Sequence, residues 1–134
     1  MRLVLQTNIA GLISIWVVKR ETVVSHIIKK TKWHGADKIL VNIETALFKS
    51  RNNINDVENI IVVRGPGPFT AVRSGIIVAN TLGMMLSIPV RGIVSSHLFP
   101  KTEIIKLLKA SQKYGHASVR PWYGRQPNIT RSRK

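Results

Sequence analysis

Residues 58–98 read ENIIVVRGPGPFTAVRSGIIVANTLGMMLSIPVRGIVSSHL, and the order of patterns within them decides the fold. Ile60, Ile61, Val62 and Val63 are all β-branched, which suits a strand buried on both faces. Gly65-Pro66-Gly67-Pro68 then stops the strand, because proline lacks a donor and glycine permits positive φ. Phe69 to Leu86 has helical character, Pro89 ends it, and Val90 to Val94 reads as a further strand. Strand, tight turn, helix, strand is a βαβ unit, which places its two strands in parallel.

Upstream, Arg2 to Thr7, Gly11 to Val18 and Thr22 to Ile28 read as three strands. The charged turn Lys19-Arg20-Glu21 joins the second and third, so the three form an antiparallel meander. A helix is expected from Gly35 to Arg51, with Ala36, Ile39, Leu40, Ile43, Ala46 and Leu47 on one arc and Val41 and Phe48 off it. The predicted order is β-β-β-α-β-α-β, an α/β lobe with a mixed five-stranded sheet. Residues 1–98 are assigned to the lobe. Residues 99–134 hold a short helix, Glu103 to Ala110, and a basic tail without apolar periodicity that reads as disordered. On that reading, truncation after Ala110 leaves thermal unfolding unchanged.

The segment RGPGPFTAVRSGI resembles the RGPGSFTGLRIGL signature of the TsaB (YeaZ) family, keeping the types and spacing of Gly65, Pro66, Gly67, Phe69, Thr70, Arg73 and Gly75. SIPVRGIVSSHL is similar to the family's GIPLVGVSSLEAL, and His34 to its RHSE segment. The resemblance implies one lobe of the actin-like, sugar-kinase-like (ASKHA) fold. It also implies a non-catalytic role beside a TsaD-type transferase in making threonylcarbamoyladenosine next to the tRNA anticodon, with a TsaE-type ATPase as a further partner. Family members dimerise and pair with TsaD through two N-lobe helices, so a homodimer is implied as well. The family's first strand usually ends Asp-Thr-Ser; here it ends Gln6-Thr7-Asn8. In active relatives that Asp helps manage phosphate and metal, so Gln6 argues against nucleotide chemistry, and no cofactor is expected.

Composition is consistent with this. The chain has 134 residues, 44% of them hydrophobic, and no cysteine, so disulfides and cysteine-based zinc sites are excluded. The apolar stretch from Gly75 to Val90 contains Asn80, Thr81 and Ser87 and reads as a buried helix rather than a bilayer span. A cytoplasmic location without membrane contact is therefore expected. Net charge is +15, with 9 basic residues and 1 acid in residues 101–134. Such a field attracts polyanions such as RNA, or it is merely solvated.

The remaining chemistry-bearing residues are scattered. His26, His34, His97 and His116 stand singly, and none pairs at helical metal-site spacing. Glu21, Asp37, Glu44, Asp56, Glu58 and Glu103 lie in turns, on helix faces or beside a strand. No nucleophile–base pair is evident. The GPGPFT turn opens a helix, where amides could hold a phosphate, but it lacks the Lys-Ser/Thr ending of a P-loop and reads as structural. Trp122 and Tyr123 sit among Arg120, Arg125, Arg131, Arg133 and Lys134, an arrangement that could stack on unpaired bases or serve no purpose. Asn128-Ile129-Thr130 is a sequon without meaning in the absence of secretion.

On the helix from Phe69 to Leu86 two stripes separate. Gly75, Ala79 and Gly83 form a small-residue stripe; Arg73, Ile77, Asn80 and Met84 form another that mixes polar and apolar groups. With Val41 and Phe48, the second stripe is the expected partner interface. The rival readings are a basic RNA-binding accessory protein and a degenerate remnant of an ASKHA kinase or peptidase-like enzyme.

Overall fold

The computed structural model describes residues 1–32, 35–111 and 119–122. Its strands are β1 (Arg2–Gln6), β2 (Leu12–Lys19), β3 (Thr22–Lys30), β4 (Asn59–Val63) and β5 (Val90–Ile93). Its helices are α1 (Ala36–Lys49), α2 (Phe69–Leu86) and α3 (Lys101–Ser111), with a 3-10 turn at Ile54–Asp56. One sheet holds all five strands in the order β3-β2-β1-β4-β5. β1–β2 and β2–β3 are antiparallel, whereas β1–β4 and β4–β5 are parallel. The meander and the βαβ unit are therefore both present, joined at the centre by the β1–β4 pair.

The strand period of two sorts the apolar runs into two cores. Leu3, Leu5, Ile13, Ile15, Val17, Ile60 and Val62 face α1 and α2. Val4, Trp16, Val18, Ile61 and Val63 face the opposite way and meet Phe99, Ile104 and Leu108. This explains why these strands are apolar almost throughout: both faces are covered. α2 seats on the sheet through its small-residue stripe. A side chain added at Gly75 would collide with Thr7, and one at Gly83 with Val90. The small stripe thus serves close packing of α2 on its own sheet.

Three features differ from the sequence reading. Leu40 is 42% exposed rather than on the buried arc of α1. Asn42 takes a buried place on that arc, its side-chain amide satisfied by the Lys38 carbonyl. Next, α3 is part of the lobe, since Ile104 and Leu108 are fully covered against the second sheet face. Packed structure therefore continues past Leu98, the expected boundary. The third difference lies in the tail. Val119 is buried against the α2 side of the sheet, next to Gly92. Its backbone is gripped twice by Asn80: the Asn80 Nδ2 donates to the Val119 carbonyl (3.0 Å) and the Val119 N–H donates to Asn80 Oδ1 (2.9 Å). The Trp122 N–H then donates to the Arg64 carbonyl (2.6 Å), and Arg64 Nη1 donates to the carbonyl of Arg120 (3.3 Å). The expected disorder of the rest of the tail falls on residues 112–118 and 123–134, outside the described residues.

Residues 119–122 are therefore a strap, and truncation after Ala110 is not neutral as the sequence suggests. Deleting residues beyond Ser111 exposes the surface under Val119 and removes the strap's hydrogen bonds. The expected loss is about 2 kcal/mol, given about 1.5–3 kcal/mol for burial of one large apolar side chain. Asn80→Ala should lose about 1 kcal/mol by freeing the same strap. Thermal unfolding of both variants checks this, and unchanged midpoints would show the strap to be idle.

Candidate functional site

Three residues follow one another at the carboxyl end of β1, and all three are buried polar groups: Gln6, Thr7 and Asn8. In an open α/β sheet this end of the strands is where ligands bind. Here protein groups fill it. Gln6 Nε2 donates to the His97 carbonyl (2.8 Å), and the Phe99 N–H donates to Gln6 Oε1 (3.1 Å). Thr7 Oγ1 donates to the Ala71 carbonyl (2.8 Å) in the first turn of α2. Asn8 Nδ2 donates to the carbonyls of Pro66 and Ser95. Ser95 Oγ donates in turn to the His97 carbonyl (2.9 Å). Segment 95–99 thus lies across the strand end, held by an amide that both donates and accepts. An Asp at position 6 could accept from Phe99 but could not donate to His97.

The signature residues of the glycine-proline turn have structural duties. Gly65 has φ 134°, and any side chain there would strike the Trp122 backbone. The Gly65–Pro66 peptide is cis. A side chain at Gly67 would strike the Asn8 backbone. Pro68 caps α2, and its carbonyl accepts from the Val72 N–H. Phe69 is exposed, with the Arg73 guanidinium 4.9 Å from its ring centre. Thr70 is exposed, and Gly75 is buried against Thr7.

The outer face of α1 and α2 is the second feature. Phe48 is 83% exposed, Met84 81%, Val41 59% and Ile77 53%. Leu40 and Met85 are exposed beside them, and Arg73 is exposed as well. A groove of about 420 Å³ opens between Leu40, Leu47, Phe48, Ile54 and Leu82. Asn80 belongs to the same stripe, but it is half-buried and its amide is taken up by the strap. The length and composition of α2 would suit a bilayer span. Seven of its residues, from Ala71 to Gly83, are instead buried in the lobe.

Among the histidines, His34 and His116 lie outside the described residues. His97 approaches Glu103 at 3.7 Å on the surface. His26 stacks on Trp16, ring centres 3.3 Å apart, and its Nε2 meets Ser14 Oγ at 2.9 Å. Trp16 Nε1 is buried without a hydrogen-bond partner among the described residues. No group of three or more His, Asp or Glu side chains that could hold a metal occurs among the described residues. Burial and then the nearby Lys101 charge lower the His26 pKa from 6.5 to about 4. The unfolded chain therefore binds more protons between these values, and stability present above pH 6.5 is lost as pH falls toward 4. The thermal midpoint should drop across that window, and His26→Phe should flatten the drop. An equal slope in the variant would assign the pH dependence to other groups.

The profile of the family described as TsaD, tRNA N6-adenosine threonylcarbamoyltransferase, matches residues 22–106. An uncharacterized protein of Mycobacterium tuberculosis is 37% identical over 60 residues, covering 45% of this chain and 28% of that protein. The tRNA threonylcarbamoyladenosine biosynthesis protein TsaB of Bacillus subtilis is 28% identical over 83 residues, covering 62% of this chain and 36% of that protein. Among solved structures, YeaZ from Pseudomonas aeruginosa superposes with a TM-score of 0.64 at 26% identity, covering 69% of this chain and 44% of that chain. The chain thus spans less than half the length of these relatives.

Proposed function

Because this chain belongs to the TsaD family and is TsaB-like within it, we propose that it is a non-catalytic subunit that pairs with a TsaD-type threonylcarbamoyltransferase. In this reading the transferase forms threonylcarbamoyladenosine next to the tRNA anticodon, and any ATP or metal belongs to it or to a TsaE-type ATPase. The observation that carries the reading is the exposed apolar face of α1 and α2. Phe48, Met84, Val41 and Ile77 stand in water with no cover from the described residues of their own lobe. Contiguous exposed apolar groups of this kind usually mark an interface. Two helices set side by side offer the surface for a four-helix packing with a matching pair. A second copy of the chain competes for the same face, so homodimer and heterodimer are alternatives at one site. The cytoplasm is the location this function requires.

The enzymatic alternative has less support, since segment 95–99 occupies the strand end where a nucleotide phosphate would sit. Co-purification with the TsaD-type subunit of the same cell, followed by size exclusion, tests the pairing. One chain of each kind in a common peak is the expected result. A chain that elutes alone at micromolar concentration with the subunit present would overturn it.

A further inference from the structure

The positive charge of the described residues is not evenly spread. Residues 36–64 carry Lys38, Lys49, Arg51 and Arg64 against Asp37, Glu44, Asp56 and Glu58, so α1 and its flanks are neutral overall. The β2–β3 hairpin with its exit, and α3, carry Lys19, Arg20, Lys29, Lys30, Lys32, Lys101, Lys106 and Lys109 against only Glu21 and Glu103. Glu21 pairs with Lys109 at 3.1 Å, and Glu103 lies 3.7 Å from His97.

Topology brings these charges to one edge. β3 is the outermost strand of the sheet, and its last residues, Ile28 to Lys30, are exposed. α3 covers the same end of the sheet. Its Lys109 reaches the hairpin turn at Glu21, and its Lys101 lies near enough to His26, in mid-strand, to depress that group's protonation. Along β3, a length of about 26 Å at the usual strand rise, basic groups therefore recur. Arg20 serves the turn end, where Lys109 is paired with Glu21; Lys101 serves the middle, and Lys29, Lys30 and Lys32 the far end, all of them exposed.

We propose that this β3–α3 edge is a nucleic-acid surface that holds an RNA phosphate backbone, through residues other than those of the apolar α1–α2 face. Seven of the eight basic groups are lysines, compact ammonium charges that neutralise phosphates one at a time and carry no base specificity. A lipid surface fits less well. Membrane-lying faces combine basic groups with large inserted apolar ones. The exposed large apolar groups on this edge, Val24 at 37% and Ile28 at 46%, are more than half covered, whereas Phe48, Met84 and Met85, at 74–83% exposure, sit on α1 and α2. RNA binding by the chain alone is independent of its pairing with TsaD.

The test uses the full chain and a fluorescein-labelled, unmodified tRNA transcript, with anisotropy titrations from low to high salt. Parent binding should weaken with salt as counterions return to the RNA. The triple variant K29Q/K30Q/K32Q should bind at least about tenfold more weakly at low salt. The magnitude of its salt slope should fall by about 3, or about 1 for each phosphate no longer neutralised. K101Q/K106Q should act in the same direction by about 2, and the Lys→Arg triple at 29, 30 and 32 should bind as the parent does. The control K38Q/K49Q should leave affinity and slope unchanged. Equal affinity and slope in the edge variants would overturn the proposal. So would concentration-dependent association of the triple variant at parental RNA affinity, because the lysines would then only guard an edge strand against pairing. Binding to phosphatidylglycerol vesicles in place of the transcript would also overturn it.

Discussion

Phe48→Glu and Met84→Glu are each expected to leave the lobe folded and to abolish the proposed pairing with a TsaD-type subunit. At 83% and 81% exposure, either new carboxylate stays in water in the isolated chain, so its cost to folding is small. In the complex the same carboxylate is trapped among apolar groups. Each large side chain buried there contributes about 1.5–3 kcal/mol, and an unpaired buried charge costs several kcal/mol more. A loss of about 4 kcal/mol alone weakens a micromolar complex to about millimolar, so pairing disappears at working concentrations. Ile77→Glu, at 53% exposure, should break pairing as well, with a small loss of stability because half of Ile77 packs on its own lobe. Pull-down with the partner and thermal unfolding of the isolated chain separate the effects. A variant that unfolds identifies a core residue; variants that fold and still bind move the interface off this face.

Gln6→Asp lowers the thermal midpoint by more than about ten degrees and confers no ATP binding. Gln6 is 1% exposed, and both ends of its amide are in use, one donating to His97 and one accepting from Phe99. The shorter carboxylate leaves the His97 carbonyl without that donor and brings a charge into a closed site. An unsatisfied buried group costs about 1–3 kcal/mol and a charged one more, so about 3 kcal/mol is a conservative total. A chain of 134 residues lies between small domains and larger ones, so each kcal/mol shifts the midpoint by about 4 °C, and about 3 kcal/mol by about 12 °C. Segment 95–99 remains covalently in place, so restoring the acid of active relatives does not reopen the site. Calorimetry with magnesium and ATP should show no micromolar binding for the parent or the variant. An unchanged midpoint would mean the amide network is dispensable, and micromolar ATP binding would mean the strand end is still a nucleotide site.

The helix Phe69 to Leu86 was readable because proline and glycine bracket an apolar run of helical length. The exposed positions Val41, Phe48, Ile77 and Met84 were readable because each departs from the buried arc of its own helix, a property of local periodicity. Leu40 was misplaced because it sits at the margin of that arc, where the neighbouring helix decides exposure. Gln6 stood out as a departure from an Asp, but its partners did not, since they lie 91 and 93 residues away.

The sequence by itself determined the strands, the two crossover helices and the apolar face left over. All of these follow from short β-branched and apolar runs, from the 3.6-residue helical repeat and from backbone-stopping Gly and Pro. Only the tertiary structure decided that α3 closes the second sheet face, that Asn80 is spent on the strap, and that hairpin and α3 lysines meet on one edge. Each of these is a pairing of groups distant in sequence. A single hydrogen-bonding amide or surface lysine carries no local sign of which distant group it will face, because that choice is made by the packing of the whole sheet.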